Sequence, residues 1–194
     1  MPLCRSALVF LNISFAFVAN AQTDKSFPTD DEINLVLTQT ERAIQQYKPL
    51  IDREQVQMGK SATDAVAKDR QVVEALELAV KTFKSQPQGF NSPLGFAFFQ
   101  WLDDANRNAL LCGSSASGQA TVQLIAGNRG KAESLIHLAQ SCSDVSTLMY
   151  TVSENAGALY QRYVAGIAQL AVQAVDAGKQ LMDTVKKNGV PAKK

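Results

Sequence analysis

The only histidine, His137, and the nearby Glu133 come closest to forming a metal or acid–base site. Glu133 precedes His137 by four residues in the stretch ESLIHL, so both side chains fall on one face of a helix. An imidazole beside a carboxylate can hold a metal ion or act as a base with its orienting partner. Metal sites usually need three or four ligands, and the sequence offers no second histidine. A surface histidine is therefore the simpler interpretation, and we expect no metal and no other cofactor.

The stretch GNRGKAES, residues 127–134, has glycines and a lysine in front of a predicted helix. A phosphate-binding loop needs four residues between its glycines and a serine or threonine after the lysine. Here two residues separate the glycines and Ala132 follows Lys131. The pattern favours an ordinary loop between helices, and an anion contact through Arg129, Lys131 and free backbone amides is the alternative.

Paired carboxylates occur at Asp30–Asp31 and Asp103–Asp104. Glycosidases do use two acids, but neighbouring residues point about 100° apart on a helix. The first pair suits a helix start, where acidic side chains complement the dipole, and the second suits a solvated face. The chain has no G-x-S-x-G sequence, so a serine hydrolase has no recognisable nucleophile. These observations favour a non-catalytic protein.

Cys112 and Cys142 are predicted to form one disulfide. They are the two cysteines that follow the N-terminal apolar segment, and two cysteines in an exported chain most simply pair with each other. The bond would close a loop of about 30 residues and stabilise the fold by roughly 3–4 kcal/mol in the chain-entropy model. No Cys-x-x-Cys sequence is present to indicate redox exchange.

The segment SPLGFAFFQWLDDANRNALLCG, residues 92–113, combines three phenylalanines with the only tryptophan. Helical spacing predicts a core-facing stripe along it, made of Leu94, Phe98, Trp101, Leu102, Ala105, Ala109 and Cys112. Phe96 and Phe99 point away from this stripe, towards the side that carries Asp103 and, further along, Leu110. We therefore expect either that another element covers these two rings, for example the loop that contains Phe90, or that Phe96, Phe99 and Leu110 form an exposed patch for a partner.

Helical patterns dominate the chain, with no convincing alternating strand pattern. Thr29 and Glu32 predict a capping box at the start of a first helix, which Pro49 should kink or split. A second helix is expected from about Ser61 to Ser85, with a core-facing stripe at heptad-like spacing made of Val66, Asp69, Val73, Leu76, Val80 and Phe83. Ser92 as N-cap and Pro93 at the first helical position predict the start of a third.

The second half of the chain is less regular in pattern. Residues 114–130 are rich in serine and glycine and predict a loop with one short helix, followed by a further helical stretch that carries Cys142. Ser143 or Ser146 should then cap a final helical segment to about Lys187, with a break near Gly157. The expected fold is all-α, an up-and-down bundle of four to six helices with one disulfide.

The N-terminal segment predicts a secretory signal peptide over residues 1–21. Arg5 precedes an apolar run from Ala7 to Val18, and Ala19-Asn20-Ala21 is the small-x-small pattern of a cleavage site. We expect residues 22–28 to be a flexible lead, residues 29–187 a single helical domain, and residues 188–194 a flexible basic tail. The expected location is the periplasm or the extracellular space, with no membrane span left after cleavage.

The net charge of the chain bears on which kinds of partner it can bind. Removing residues 1–21 takes away one arginine and no acid, so the 18 remaining basic residues balance the 18 acidic ones. Nucleic acids and anionic membranes both favour a basic excess, and we expect neither as a partner. The sequence thus favours an exported, non-catalytic helical protein that acts by binding a protein partner or by self-association. The alternative is a small-ligand carrier or unusual hydrolase, with a pocket between helices lined by the aromatic segment and Tyr160 or Tyr163.

Overall fold

A computed structural model describes residues 27–187, with side chains through residue 184. These residues form four helices and no strand: α1 (Asp30–Met58), α2 (Thr63–Ser85), α3 (Pro93–Ile125) and α4 (Arg129–Lys187). Short 3-10 turns, Gly59–Ala62 and Pro87–Phe90, connect the first three helices. The predicted all-α class is confirmed. The predicted signal segment (residues 1–21), the first residues of the lead (22–26) and the basic tail (188–194) lie outside the described residues.

The start of α1 follows the predicted chemistry. Thr29 is the N-cap: its hydroxyl accepts from the Glu32 amide, and its own amide donates to Glu32 Oε2 at 2.9 Å. This capping box satisfies amides that have no partner within the helix. Pro49 lies inside α1 and does not split it, because buried residues on both sides, Tyr47 and Leu50, keep this stretch packed against its neighbours.

Three helix junctions show why the chain turns where it does. Gly59 adopts a positive φ of 61° and ends α1, a conformation that glycine takes readily. Ser92 caps α3 by accepting from the Leu94 amide, with Pro93 at the first helical position as predicted. Gly127, with a φ of 79°, makes the turn between α3 and α4.

Successive helices run antiparallel to each other. Ion pairs join Lys48 to Glu77 and Glu41 to Lys84 across α1 and α2, so residue numbers fall on one helix as they rise on the other. The rings of Phe83 and Phe98 meet across α2 and α3, at the opposite end from the Ser61–Gln119 hydrogen bond. The Cys112–Cys142 disulfide and a 2.7 Å hydrogen bond from Ser146 to Asn106 join α3 to α4. The fold is an up-and-down bundle of four helices.

Two predictions about the second half were wrong. Residues 114–125 continue α3 instead of forming a loop, because small residues continue its buried face: Ala105, Ala109, Cys112, Ala116 and Ala120. Neither Ser143 nor Ser146 starts a new helix, and no break occurs at Gly157, since α4 is one helix from Arg129 to Lys187. Ser146 is instead buried and bonded to Asn106.

The described residues fall into two compact units. Residues 29–160 form the first, whose core includes an aromatic cluster of Phe83, Phe90 and Phe98 with ring centroids 5.5–6.1 Å apart. Residues 27–28 and 161–187 belong to the second. There the Phe27 ring lies 6.2 Å from the Tyr163 ring and packs on Gly166 of α4, where a Cβ atom would lie 2.8 Å from the ring.

Candidate functional site

Phe96 and Phe99 are half-buried, and α4 is the element that packs on them. The Phe96 ring lies 5.6 Å from the ring of Tyr160, and the Phe99 ring lies against Gly157. Phe90 is fully buried in the aromatic cluster and takes no part in this packing. Leu110 is 60% exposed and lies about 16 Å further along α3 than Phe99. The three predicted patch residues therefore do not form one continuous surface.

The remaining stripe residues divide between core and surface. Phe98, Leu102, Ala105, Ala109 and Cys112 are buried as predicted. Leu94, however, is 37% exposed and Trp101 is only half-buried. Leu94 lies in the first turn of α3, beyond the reach of the core cluster. On the outer side, Arg107 forms the expected pair with Asp103, four residues earlier, at 2.6 Å.

Two further predicted sites, the Glu133–His137 pair and the anion contact at Arg129 and Lys131, lie at the N-terminal end of α4. Glu133 and His137 are exposed and share one face of the helix, as the four-residue spacing predicts. Within residues 27–184, no three metal-ligating side chains of the His, Cys, Asp or Glu type come together. Arg129 and Lys131 are also exposed, just after the Gly127 turn.

Cys112 and Cys142 form the predicted disulfide, with their Cα atoms 6.1 Å apart. Both cysteines are buried, at 3% and 0% exposure. Next to Cys112, Gly113 faces the Ala139 carbonyl, and a Cβ atom there would lie 3.3 Å from that oxygen. The disulfide therefore joins α3 and α4 where their backbones come close together.

The main polar feature that sequence reasoning missed is a buried cluster of Tyr47 and Glu54 on α1, Asp69 on α2 and Asn108 on α3. Tyr47, Glu54 and Asp69 are each no more than 3% exposed. Tyr47 and Asn108 favour the charged form of Asp69 through their side-chain donors. The Tyr47 hydroxyl faces Asp69 without closing a hydrogen bond of good geometry, and Tyr47 Oη and Asp69 Oδ1 are both buried and unsatisfied.

Burial dominates the electrostatics of this cluster. Loss of solvent, reinforced by the nearby charge of Asp69, raises the pKa of the Glu54 carboxyl to about 7. Burial also raises the pKa of Asp69, although the nearby donor groups of Tyr47 and Asn108 oppose the shift. Burial and the two carboxylates raise the pKa of the Tyr47 hydroxyl as well. The cluster can hold a proton at neutral pH inside the bundle.

A shallow groove between α1 and α2 has a volume of about 650 Å³. Its lining includes Ile44 and Val80 along the floor, with Glu41, Glu77 and Lys84 at the rim. Lys84 bonds to Glu41 across the groove at 2.6 Å, and Glu77 bonds to Lys48 at 2.8 Å. Glu41, Glu77 and Lys84 at the rim are therefore already engaged in ion pairs.

The C-terminal part of α4 carries an extended set of exposed apolar side chains, which we call the α4 apolar face. Its large members project from one half of the helix and are 37–67% exposed: Val164, Ile167, Leu170, Val175, Leu181 and Met182. Alanines and Gly178 lie between them, and all residues from 171 to 184 are exposed. The opposite half carries Arg162, Gln169, Asp176 and Asp183. The sequence analysis did not single out this exposed face.

None of the helices described over residues 27–187 has a stretch long and apolar enough to cross a membrane. Comparison with protein-family models, curated proteins and solved structures finds no match to this chain.

Proposed function

We propose that the protein is exported to the periplasm or the extracellular space and acts there by binding or assembly, without a catalytic role. The signal-type N-terminus and the disulfide support export, since structural disulfides persist in oxidising compartments. The α4 apolar face carries the binding part of the proposal. Exposed apolar patches of this extent are typical of surfaces that contact a partner.

The physical chemistry of this face supports an interaction surface. Complete burial of a large aliphatic side chain contributes about 1.5–3 kcal/mol, so covering the exposed half of six such residues would contribute about 6 kcal/mol. Association costs about 4–15 kcal/mol in lost freedom. A stable complex therefore needs a partner that also buries apolar surface of its own. This requirement favours another amphipathic helix over a small polar ligand.

The predicted patch residues Phe96 and Phe99 would make at most a small contact of their own. Each is half-buried beneath α4, and only their outer edges could contact a partner. The small-ligand alternative, a carrier or unusual hydrolase, would use the space beside Tyr160, where the Phe96 ring already packs. Native mass spectrometry of the exported protein tests it, because a retained small molecule would favour the carrier.

The binding proposal is tested by cross-linking in the cells that produce the protein. Leu170→Glu combined with Leu181→Glu places two charges on the α4 apolar face. Gln169→Glu combined with Val172→Glu adds the same two charges on the other half of the helix and serves as the matched control. We expect the wild type and the control to give a cross-linked adduct that the first variant loses. An absent adduct, or one that all three proteins form equally, would contradict the proposal.

A further inference from the structure

Four residues along one edge of the α4 apolar face have a spacing that is the same in both directions along the helix. Leu170, Ala174, Ala177 and Leu181 follow one another at intervals of four, three and four residues. These intervals place the four side chains along one seam of the helix, in the a and d positions of a heptad pattern. A seam that begins and ends with leucine and has alanine at its centre can pair with an inverted copy of itself.

We propose that this seam of the α4 apolar face binds the same seam of a second copy of this chain, with the two helices antiparallel and centred between Ala174 and Ala177. This inference rests on the proposed binding function and names its partner. In this register, Leu170 lies opposite Leu181 of the second copy, and Ala174 lies opposite Ala177 of the second copy. The alanines allow the two backbones to approach closely at the centre, while the leucines fill the wider space on either side.

The charges near the seam favour a second copy of this chain as the binding partner. The seam is flanked by uncharged residues, Gln173 and Gln180 on one side and Ala171 and Gly178 on the other. Self-association therefore brings no like charges together along the interface. By contrast, Lys179 on the polar half is already paired with Asp176, and the alanine-rich centre of the face lacks the bulky side chains that insert into a lipid surface.

Charge also favours the antiparallel orientation. The last turn of α4 carries two lysines, Lys186 and Lys187. Parallel pairing would bring the two sets of lysines together. Antiparallel pairing places Lys186 of the two copies about 30 Å apart along the helix axis, beyond the roughly 8–10 Å range of screened charges.

The size of the contact predicts a reversible dimer. A 22-residue stretch of helix is about 33 Å long, and covering half of its circumference buries about 550 Å² per copy, or about 1,100 Å² in total. Specific interfaces begin near about 1,000 Å². The dimer should therefore dissociate in the micromolar range of protein concentration and not behave as an obligate dimer.

Sedimentation equilibrium of the purified exported protein, at roughly 1–200 μM, tests self-association. We expect the wild type to shift from monomer to dimer across this range. The Leu170→Glu/Leu181→Glu variant should shift the midpoint upward by at least about tenfold, and the Gln169→Glu/Val172→Glu control should match the wild type. Equal helical circular dichroism of all three proteins shows that the substitutions leave the fold intact.

Cysteine cross-linking tests the orientation. Leu170→Cys combined with Leu181→Cys should oxidise to a dimer in which residue 170 of one copy is linked to residue 181 of the other, as mapped by peptide mass spectrometry. Each single cysteine variant should stay uncross-linked, because residue 170 of the two copies would be about 16 Å apart, too far for a disulfide.

The results of these experiments distinguish the antiparallel dimer from the more general binding function. Cross-linking of either single variant through residue 170 or 181 would show parallel pairing and overturn the antiparallel dimer. A wild type that stays monomeric at every concentration would overturn self-association. In that case, the cross-linking in cells decides whether the binding function holds. If the protein forms an adduct with a different protein, and the substitutions on the α4 apolar face abolish that adduct, the binding function is still supported. If no such adduct forms, both proposals are overturned.

Discussion

The ring of Phe99 on α3 lies directly against Gly157 of α4, where a Cβ atom would be only 3.0 Å from Phe99 Cε2. A glycine inside a long helix usually weakens it. Here the missing side chain makes room for an aromatic ring. The contact explains both why α4 continues through Gly157 and why Phe99 is not left as a free surface residue.

Substitutions at Gly157 and at a second helical glycine should distinguish the effect of this contact on stability from the effect of helix propensity. Gly118→Ala, at a helical glycine with open space around it, should stabilise the protein by up to about 1 kcal/mol. Gly157→Leu should instead destabilise it by about 1–3 kcal/mol, because the added side chain must displace the Phe99 ring. Urea unfolding of both variants measures the difference. Equal stabilisation of the two would contradict the packing described for Phe99.

The buried Glu54 predicts that stability falls as pH rises. Its pKa is raised from 4.5 to about 7 in the folded state, so the folded protein holds a proton that the unfolded chain releases. Stability is complete below about pH 4.5 and decreases up to about pH 7, by on the order of 3 kcal/mol. The raised pKa of Asp69 acts in the same direction.

Glu54→Gln tests this dependence, because glutamine imitates the neutral acid. We expect the variant to lose much of the decline between pH 5 and pH 8 and to exceed the wild type in stability at pH 8. Glu77→Gln, at an exposed carboxylate of α2, serves as the control and should keep the decline. Denaturant midpoints across this pH range provide the measurement. A wild-type stability that rises from pH 5 to pH 8 would be incompatible with this account.

Removing the disulfide should lower stability without changing the helical fold. Cys112→Ala combined with Cys142→Ala is expected to cost about 2–5 kcal/mol, chiefly through the greater freedom of the unfolded chain. Urea midpoints with and without a reducing agent give the test. Reduction should destabilise the wild type and leave the double variant unchanged. If full reduction left the urea midpoint of the wild type unchanged, the disulfide would not make this contribution to stability.

Gly95 should tolerate no side chain. It is buried in the first turn of α3, and a Cβ atom there would collide with the carbonyl oxygen of Phe90. Gly95→Ala is therefore expected to cost more than about 2 kcal/mol, since the neighbouring atom is backbone and cannot move freely. Gly130→Ala, with open space at its position, is the control and should be close to neutral. Thermal unfolding of the two variants makes the comparison.

Local chemistry in the sequence was sufficient to predict the helix starts and the disulfide. The Thr29 capping box, the Ser92 cap with Pro93, and the Asp103–Arg107 pair each depend on residues within four positions of one another. The disulfide followed from there being only two cysteines after the N-terminal segment. Such features depend little on the rest of the fold.

The longer-range features were harder to predict. The continuation of α3 beyond Gly113 depends on small buried residues such as Ala116 and Ala120, which pack closely against neighbouring helices. Serines and glycines between them resemble a loop when only large apolar residues are counted. Likewise, Gly157 suggests a break until the position of Phe99 is known.

The buried polar cluster could have been suspected from one residue. Asp69 occupies the same stripe of α2 as Val66, Val73 and Leu76, and a carboxylate in a core stripe predicts a buried polar partner. Glu54 gave no such indication, because its burial depends on how α1 packs against α2. The exposure of the α4 apolar face likewise became apparent only with the structure, since the sequence shows the stripe but not what covers it.

The disulfide also encloses the turn at Gly127, which is followed by the exposed Arg129 and Lys131. Trypsin-like proteases cleave after such basic residues. A cut at either one would leave the two fragments covalently joined, because Cys112 lies before the cut and Cys142 after it. Both cysteines are buried, so a reductant would reach the remaining bond only with difficulty. A nicked molecule would therefore keep all four helices covalently joined.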